Sequence, residues 1–346
     1  MSLSLQIDTE AWRIHLRSFA EQAPGLVPVA KGNGYGYGLE RLAQEATLLA
    51  AQPDGPQVLA VGTQPEIATV RAGGWSGDIV VLTPWSSFDG DAVLRDERVI
   101  STIARLDDLA DAQAVNPRAR VVLEVMTSMR RHGLEVADLQ RAAERLGELR
   151  LEGWTIHLPM VATNRLAEAR ALSAAALAAH RAPLWLSHLT AVEYDTLRGE
   201  VSVDCHLRVG TKLWLGAPRT RRTTARVLDM HRVRRGERIG YWQRRMPSDG
   251  WVVVVSGGTA NGIALEAPTS AATLRQRAVT LVSGSMEALG FALSPYTIAG
   301  KKRFFVEPPH MQSSLVFLPG AGSVAVGDEV PVEVRLTTVA IDEIRG

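Results

Sequence analysis

Only one cysteine occurs in the chain, Cys205, so no disulfide can close within it. A reducing compartment, the cytoplasm, is the expected setting. Neither sign of charge is in excess: the formal net charge is +1. The arginines are spread out, and the one local cluster, Arg219, Arg221 and Arg222, reads as a solvated linker. Nothing in this balance points to nucleic acid or a membrane surface as a partner. No run reaches the ~18 apolar residues that span a bilayer, and Asp8 and Glu10 stand where a secretory leader would need an apolar stretch. Clusters of His, Asp and Glu with ligand spacing are also missing, so no metal site is expected. What remains is 346 residues, 46% hydrophobic and 22% charged, an ordinary globular composition with room for one large or two medium domains.

From about residue 11 to 216 short apolar or β-branched runs alternate with amphipathic stretches. The runs are Leu26–Ala30, Val58–Val61, Ile79–Leu82, Val99–Ile103, Val121–Val125, Trp154–Leu158, Leu184–Leu189 and Val203–Val209. Helical patterns such as Leu39–Ala51, Val136–Leu146 and Asn164–Ala179 lie between them. Strand–helix alternation implies a parallel sheet covered by helices. About eight units in roughly 200 residues suit a closed (β/α)₈ barrel better than the alternative, an open doubly wound sheet. After Pro218 strand-like runs dominate: Ala225–Val233, Trp251–Ser256, Arg303–Val306, Ser314–Leu318 and Glu329–Val334. The only helical pattern there is Ser270–Gly284. The expected organisation is a barrel over residues 1–217 and a mostly β domain over 218–346, with a linker near 217–223. The first ~10 residues are candidates to pair with the β domain.

In such a barrel, chemistry gathers at the C-terminal ends of the strands. Lys31 ends the first strand and opens a glycine-rich turn, Gly32-Asn33-Gly34-Tyr35-Gly36-Tyr37-Gly38. A desolvated lysine at that rim is a nucleophile toward an aldehyde, although a lysine alone reads as surface. Arg130 and Arg131 follow the fifth strand, His157 closes the sixth, Thr190 follows the seventh, and Arg208 with Gly210-Thr211 closes the eighth. The last two loops are where barrels hold phosphate. Helix capping accounts for the threonines equally well.

The segment VPVAKGNGYGYG resembles the pyridoxal 5′-phosphate (PLP) lysine segment of alanine racemases, V-K-A-N-A-Y-G-H-G. Further resemblances follow in the family's order. Thr127–Gly133 is similar to T-G-M-G-R-L-G, and Glu152–His157 to E-G-x-x-T-H. Leu207–Gly210 is similar to R-P-G, and Gly236–Tyr241 to G-E-x-V-S-Y. The resemblance implies a PLP barrel followed by a β domain, and a racemase acting on an amino acid, with alanine the default substrate. It implies that Lys31 carries PLP and acts as one proton-transfer base. Tyr35, Thr190, Gly210 and Thr211 would cradle the phosphate, and His157 would pack on the pyridine ring. Arg131 would meet the cofactor's phenolic oxygen and the substrate carboxylate, with Met311 also on the substrate side. Tyr241 would be the second base, reaching a neighbour's barrel across a homodimer interface. Arg208 would face the pyridine nitrogen; an arginine cannot accept a proton, so the ring stays a weaker electron sink, which suits rapid reprotonation. Glu124 stands where many alanine racemases carry a carbamylated lysine. Its own negative charge would orient Arg131, directly or through water, because its reach is roughly 3–4 Å shorter.

Several positions depart from the family pattern. Tyr37 stands for its histidine, Thr259 within Gly258–Gly262 for a tyrosine, and Gln312 after Met311 for an aspartate. The family's further C-terminal tyrosine segment is not matched before Gly346. These departures bear on the substrate more than on the cofactor. They leave open a different PLP reaction on the same scaffold, an epimerase or a lyase, and a non-catalytic PLP-binding protein. The pairing of Lys31 with Tyr241 favours the racemase, since a cofactor carrier needs no second base.

Overall fold

The chain begins with strand β1 (Leu3–Ile7) and helix α1 (Thr9–Glu21). Eight parallel strands then alternate with helices: β2 (Leu26–Pro28), α2 (Leu39–Ala50), β3 (Val58–Val61), α3 (Glu66–Ala72), β4 (Asp78–Val81) and α4 (Ala92–Arg95). They continue as β5 (Val99–Ile103), α5 (Leu106–Val115), β6 (Arg120–Val125), α6 (Leu139–Glu144), β7 (Arg150–His157), α7 (Arg165–Ala179), β8 (Leu184–Ser187), α8 (Ala191–Glu200), β9 (Cys205–Val209) and α9 (Thr211–Leu215). The computed structural model describes residues 2–161, 164–265, 292–322 and 324–346. Their contacts divide the chain into two units, residues 10–217 and residues 1–9 with 218–346.

In the first unit the strands run side by side from β3 through β9 to β2, and a parallel bridge from Val29 to Ala60 closes the ring. This is the (β/α)₈ barrel, not the open sheet. Side chains alternate across each strand, and the inward set is apolar at depth. Val27, Val29, Ala60, Val80, Ile100, Val122 and Trp185 pack together as its core. One pleat further toward the strands' C-terminal ends the inward positions become Lys31, Glu124, His157, Ser187 and Arg208. The switch from apolar to polar and ionisable side chains on one alternating face marks where burial stops serving stability alone.

An aromatic stack braces the wall behind Lys31. Trp12 on α1 lies against Tyr37 with ring centroids 4.4 Å apart and planes 15° apart. Its indole N–H donates to the Trp214 carbonyl at 3.0 Å, and the Trp214 indole donates to the Val29 carbonyl at 2.8 Å. Both indoles are fully buried, and their polar ends are satisfied, as buried tryptophans require.

The second unit is built on a mostly antiparallel sheet. Its strands are β10 (Arg221–Val233), β11 (Arg238–Ile239), β12 (Arg244–Arg245), β13 (Gly250–Ser256), β14 (Leu293–Ile298), β15 (Lys301–Phe304), β16 (Ser313–Pro319), β17 (Glu329–Pro331) and β18 (Glu343–Arg345). The main sheet has the order β16-β13-β10-β1-β18, with β17 also on β10. β1 pairs with the start of β10, Ile7 opposite Arg221 and Leu3 opposite Ala225. The expected linker near 217–223 is therefore corrected: Pro218–Thr220 form a 3-10 turn, and Arg221, Arg222 and Thr223 are already strand. Pairing with β1 draws them into the sheet, and the exposed Arg222 donates to the Gln6 side chain at 2.9 Å. The helical pattern at Ser270–Gly284 lies outside the described residues. Among the described residues no helix is long and apolar enough to cross a membrane.

Candidate active site

Lys31 follows β2 on the inward face shared by Val27 and Val29. The turn after it needs glycine. A Cβ at Gly34 (φ +63°) would lie 2.7 Å from the Leu39 nitrogen, and at Gly210 a Cβ would run into the Tyr35 hydroxyl. Tyr35 itself takes the left-handed conformation (φ 55°, ψ 30°), which a bulky residue adopts only when its surroundings hold it there. The result is a buried phenol whose oxygen rests on the β9–α9 turn. Burial, with the nearby Glu66 carboxylate, pushes that phenol up to about 12, so it is a neutral donor.

Three cations converge. Lys31 keeps an exposed surface at the rim, and its amine is lowered from the usual lysine range by partial desolvation and by the Arg131 and Arg208 guanidinium groups, with Glu66 acting in the opposite direction. Arg208, 9% exposed, is lowered to about 10, chiefly by burial. Among the described residues its Nε and Nη2 are buried without a hydrogen-bond partner. Arg131 is exposed on the turn between β6 and Leu134. The turn's first residues are anchored: Thr127 Oγ1 donates to the His157 carbonyl at 3.0 Å, and Glu168 accepts from Ser128 N at 2.6 Å and Oγ at 2.9 Å.

Glu124 is on the inward face, 3% exposed. It makes no direct hydrogen bond or ion pair with Arg131 among the described residues. Burial raises its carboxyl to about 7, against the pull of Arg208 and then Arg131. His157 is held by Ser187, whose Oγ lies 2.8 Å from Nδ1. Burial and the surrounding cations lower His157 to about 2, so its imidazole is neutral at every working pH. His188, in the left-handed region at φ 61°, meets it edge-on at 4.9 Å.

The phosphate-side candidates divide. Gly210 caps α9 and Thr211 opens it. Thr190 is a helix cap: its hydroxyl accepts from Glu193 N at 3.2 Å, and its own N–H donates to Glu193 Oε2 at 2.7 Å. That N–H is thus engaged in the cap.

Tyr241 and Met311 belong to the other unit, and the structure describes them within it. Tyr241 lies between β11 and β12, 84% exposed, its ring 4.9 Å from that of His310. His310 Nε2 is 2.7 Å from the buried Glu307 carboxylate, which also accepts the Trp242 N–H at 3.3 Å. Backbone bonds tie the 257–260 turn to 310–312, including Ala260 N to the Met311 carbonyl at 2.9 Å. The departing positions Thr259 and Gln312 thus lie on two segments that these bonds join.

Sequence reasoning did not find Glu66, Ser187, His188 or Glu168. Only Glu66 carried a signal, the capping-box spacing Thr63-Gln64-Pro65-Glu66. The others act on backbone or ring atoms of residues distant in sequence.

A PLP group has a phosphate, a phenolic oxygen, an aldehyde and a basic ring nitrogen. The residues present fit it. The lowered Lys31 amine would suit the aldehyde, the Arg208 donors would suit the ring nitrogen, and the three cations would suit the anionic oxygens. A neutral imidazole and a phenol packed on a glycine complete the walls. Among the described residues no group of three or more His, Cys, Asp or Glu side chains is arranged for a metal ion.

Comparison with known proteins gives the same direction. The family model for the alanine racemase N-terminal domain matches residues 7–216. The alanine racemase of Symbiobacterium thermophilum is 34% identical over 165 residues, 44% of this chain and 41% of that protein. That of Nitratidesulfovibrio vulgaris is 32% identical over 126 residues, 36% of this chain and 32% of that one. The matched stretch thus spans about two fifths or less of these curated relatives. Among solved structures, the biosynthetic alanine racemase from Pseudomonas aeruginosa superposes with a TM-score of 0.71 at 19% identity, covering 100% of this chain and 99% of that one. The alanine racemase from E. faecalis gives 0.69 at 21%, covering 96% and 88%. At these identities the likeness is one of fold: a barrel followed by a mostly β domain.

Proposed function

From the premise that the chain belongs to the alanine racemase family, we propose that it is a PLP-dependent amino-acid racemase, with alanine its default substrate. The observation that carries the reading is the convergence of Lys31, Arg131 and the unpartnered donors of Arg208 at one barrel mouth. When bound, PLP supplies electron withdrawal that weakens the α-carbon's C–H bond. Lys31 holds the cofactor through Nζ and, with its lowered basicity, moves a proton at one face of that carbon. Tyr241 serves the opposite face from a second copy of the chain. Arg131 binds the substrate carboxylate, Met311 lines the substrate side, and Arg208 donates to the ring nitrogen. His157 packs, neutral, on the ring. Tyr35, the Thr190 hydroxyl, Gly210 and Thr211 hold the phosphate. Glu124 offsets the charge of Arg131 and Arg208 from within the barrel. We read the protein as a cytoplasmic homodimer.

The test is an incubation of the purified protein with PLP and a panel of L-amino acids in D₂O. Deuterium should enter the α-position and both enantiomers should appear. Borohydride should trap the cofactor on Lys31. A protein that takes up no PLP, or is trapped on another lysine, overturns the reading.

A further inference from the structure

The Glu66 carboxylate joins two loops. Its Oε1 accepts the N–H of Gly32, the residue after Lys31, at 2.7 Å. Its Oε2 accepts the N–H of Gly62 at 2.6 Å and of Thr63 at 3.1 Å, where β3 ends. The Oε2 contacts alone would cap α3; the contact to Gly32 has no part in a cap. The space is close. A Cβ at Gly62 would lie 3.0 Å from both Glu66 Oε2 and the Lys31 Cβ. Three N–H donors aimed at one group suit a carboxylate, whose oxygens only accept. An amide would turn its own N–H₂ toward one of them.

The other charged groups acting on the Lys31 amine are cations. Arg131 faces it from the turn after β6 and Arg208 from β9. His157 of β7 and His188 after β8 also feel Lys31, and burial keeps both lowered. Glu124 acts with the two arginines. Glu66 is the carboxylate that acts on Lys31 itself.

Resting on the reading of Lys31 as the cofactor lysine, we propose that Glu66 is a positioning residue for that amine. It pins the Lys31–Gly32 peptide to the end of β3 and sets a fixed negative charge against a cationic cluster. Burial and two guanidinium groups strip basicity from the amine, and an amine stripped too far returns protons but no longer takes them. The Glu66 charge limits that loss without touching substrate.

The chain has only four lysines, Lys31, Lys212, Lys301 and Lys302, so each can be followed separately. The cofactor-free protein is reductively methylated with ¹³C-formaldehyde, and the four dimethyl-lysine signals are titrated by NMR, with Lys31→Arg assigning the Lys31 signal. In Glu66→Gln the Lys31 midpoint should fall by about one pH unit, the size of one lost charge at this range, while the other three stay in place. Glu66→Asp keeps the charge but draws it back by one methylene, so it should give a smaller fall in the same direction. It also serves if Glu66→Gln does not fold. A merely structural role would leave the midpoint where it is, and an unmoved Lys31 midpoint in the folded variants overturns the proposal. Failure of the cofactor reading looks different: wild-type protein then takes up no PLP and shows no borohydride-trapped Lys31, whatever Glu66 does to the amine.

Discussion

Glu124 puts an ionisable group inside the barrel, 3% exposed and, among the described residues, without a direct ion-pair partner. Burial outweighs the attraction of both arginines, since its carboxyl is raised and Arg208 is lowered. The sign for stability follows from the two states. Below the ordinary carboxyl range both folded and unfolded chains hold the proton, and stability is complete. Between that range and about pH 7 the unfolded chain gives up its proton first, so stability falls, and it levels off above about 7. Glu124→Gln, which mimics the protonated form, should match wild type near pH 4. At pH 8 it should exceed wild type by up to about 3 kcal/mol, read from urea unfolding of the cofactor-free protein. The same variant should handle substrate less well, because Arg131 and Arg208 lose their counter-charge. A variant less stable than wild type at pH 8 would show that the carboxylate is a net stabiliser and that the burial argument fails.

At the scale of elements, Gly210 and Tyr35 form one joint between the first and last barrel strands. Gly210→Ala should force the buried phenol aside, a shift costing roughly 1–3 kcal/mol in a packed site. If that phenol helps hold phosphate, PLP affinity should drop about tenfold or more, measured by absorbance titration. Tyr35→Phe should lose affinity too, but without the strain. Unchanged PLP affinity in Gly210→Ala would remove Tyr35 from the phosphate site. This joint also shows what the sequence made legible. The runs at Val58–Val61 and Val99–Ile103 are strands to the residue, because unbroken aliphatic and β-branched stretches fit parallel strands buried on both faces. β7 starts four residues before its apolar run, at Arg150. A register shift near Gly153 and a guanidinium of Arg120 bound to Glu152 hide that start under polar residues. In the β unit, β1 answers the expectation that the first ~10 residues pair there, whereas β14 was not read as a strand, since Pro295 interrupts its run. Lys31 and its glycines stood out because a turn needs glycine locally. Glu66 and His188 matter through groups 34 and 31 residues away, distances that a linear reading does not connect.

The whole molecule divides its proposed chemistry between two units, with Lys31 in the barrel and Tyr241 in the β unit. Tyr241, Trp242 and Met311 are 84%, 72% and 72% exposed in the single chain, large apolar side chains gathered near Glu307 and His310. A homodimer that shares its sites gives this exposure a use. Inverting a carbon centre takes a proton off one face and returns one to the other, so each site needs both bases. Tyr241→Phe should therefore bind PLP normally, lose racemisation by two or more orders of magnitude, and still exchange the α-proton of one enantiomer. Lys31→Ala should be inactive outright. If Tyr241 serves the neighbour's barrel, co-expressing these two inactive chains should restore activity. Random pairing makes about half the dimers mixed, and in each mixed dimer one of the two sites has both bases intact, so roughly a quarter of wild-type activity should return. If Tyr241 instead served its own barrel, every site in every dimer would lack one base and nothing would return. Sedimentation of the wild type adds the companion condition, because recovery by complementation requires a dimer, and a fully active monomer would end the shared-site proposal.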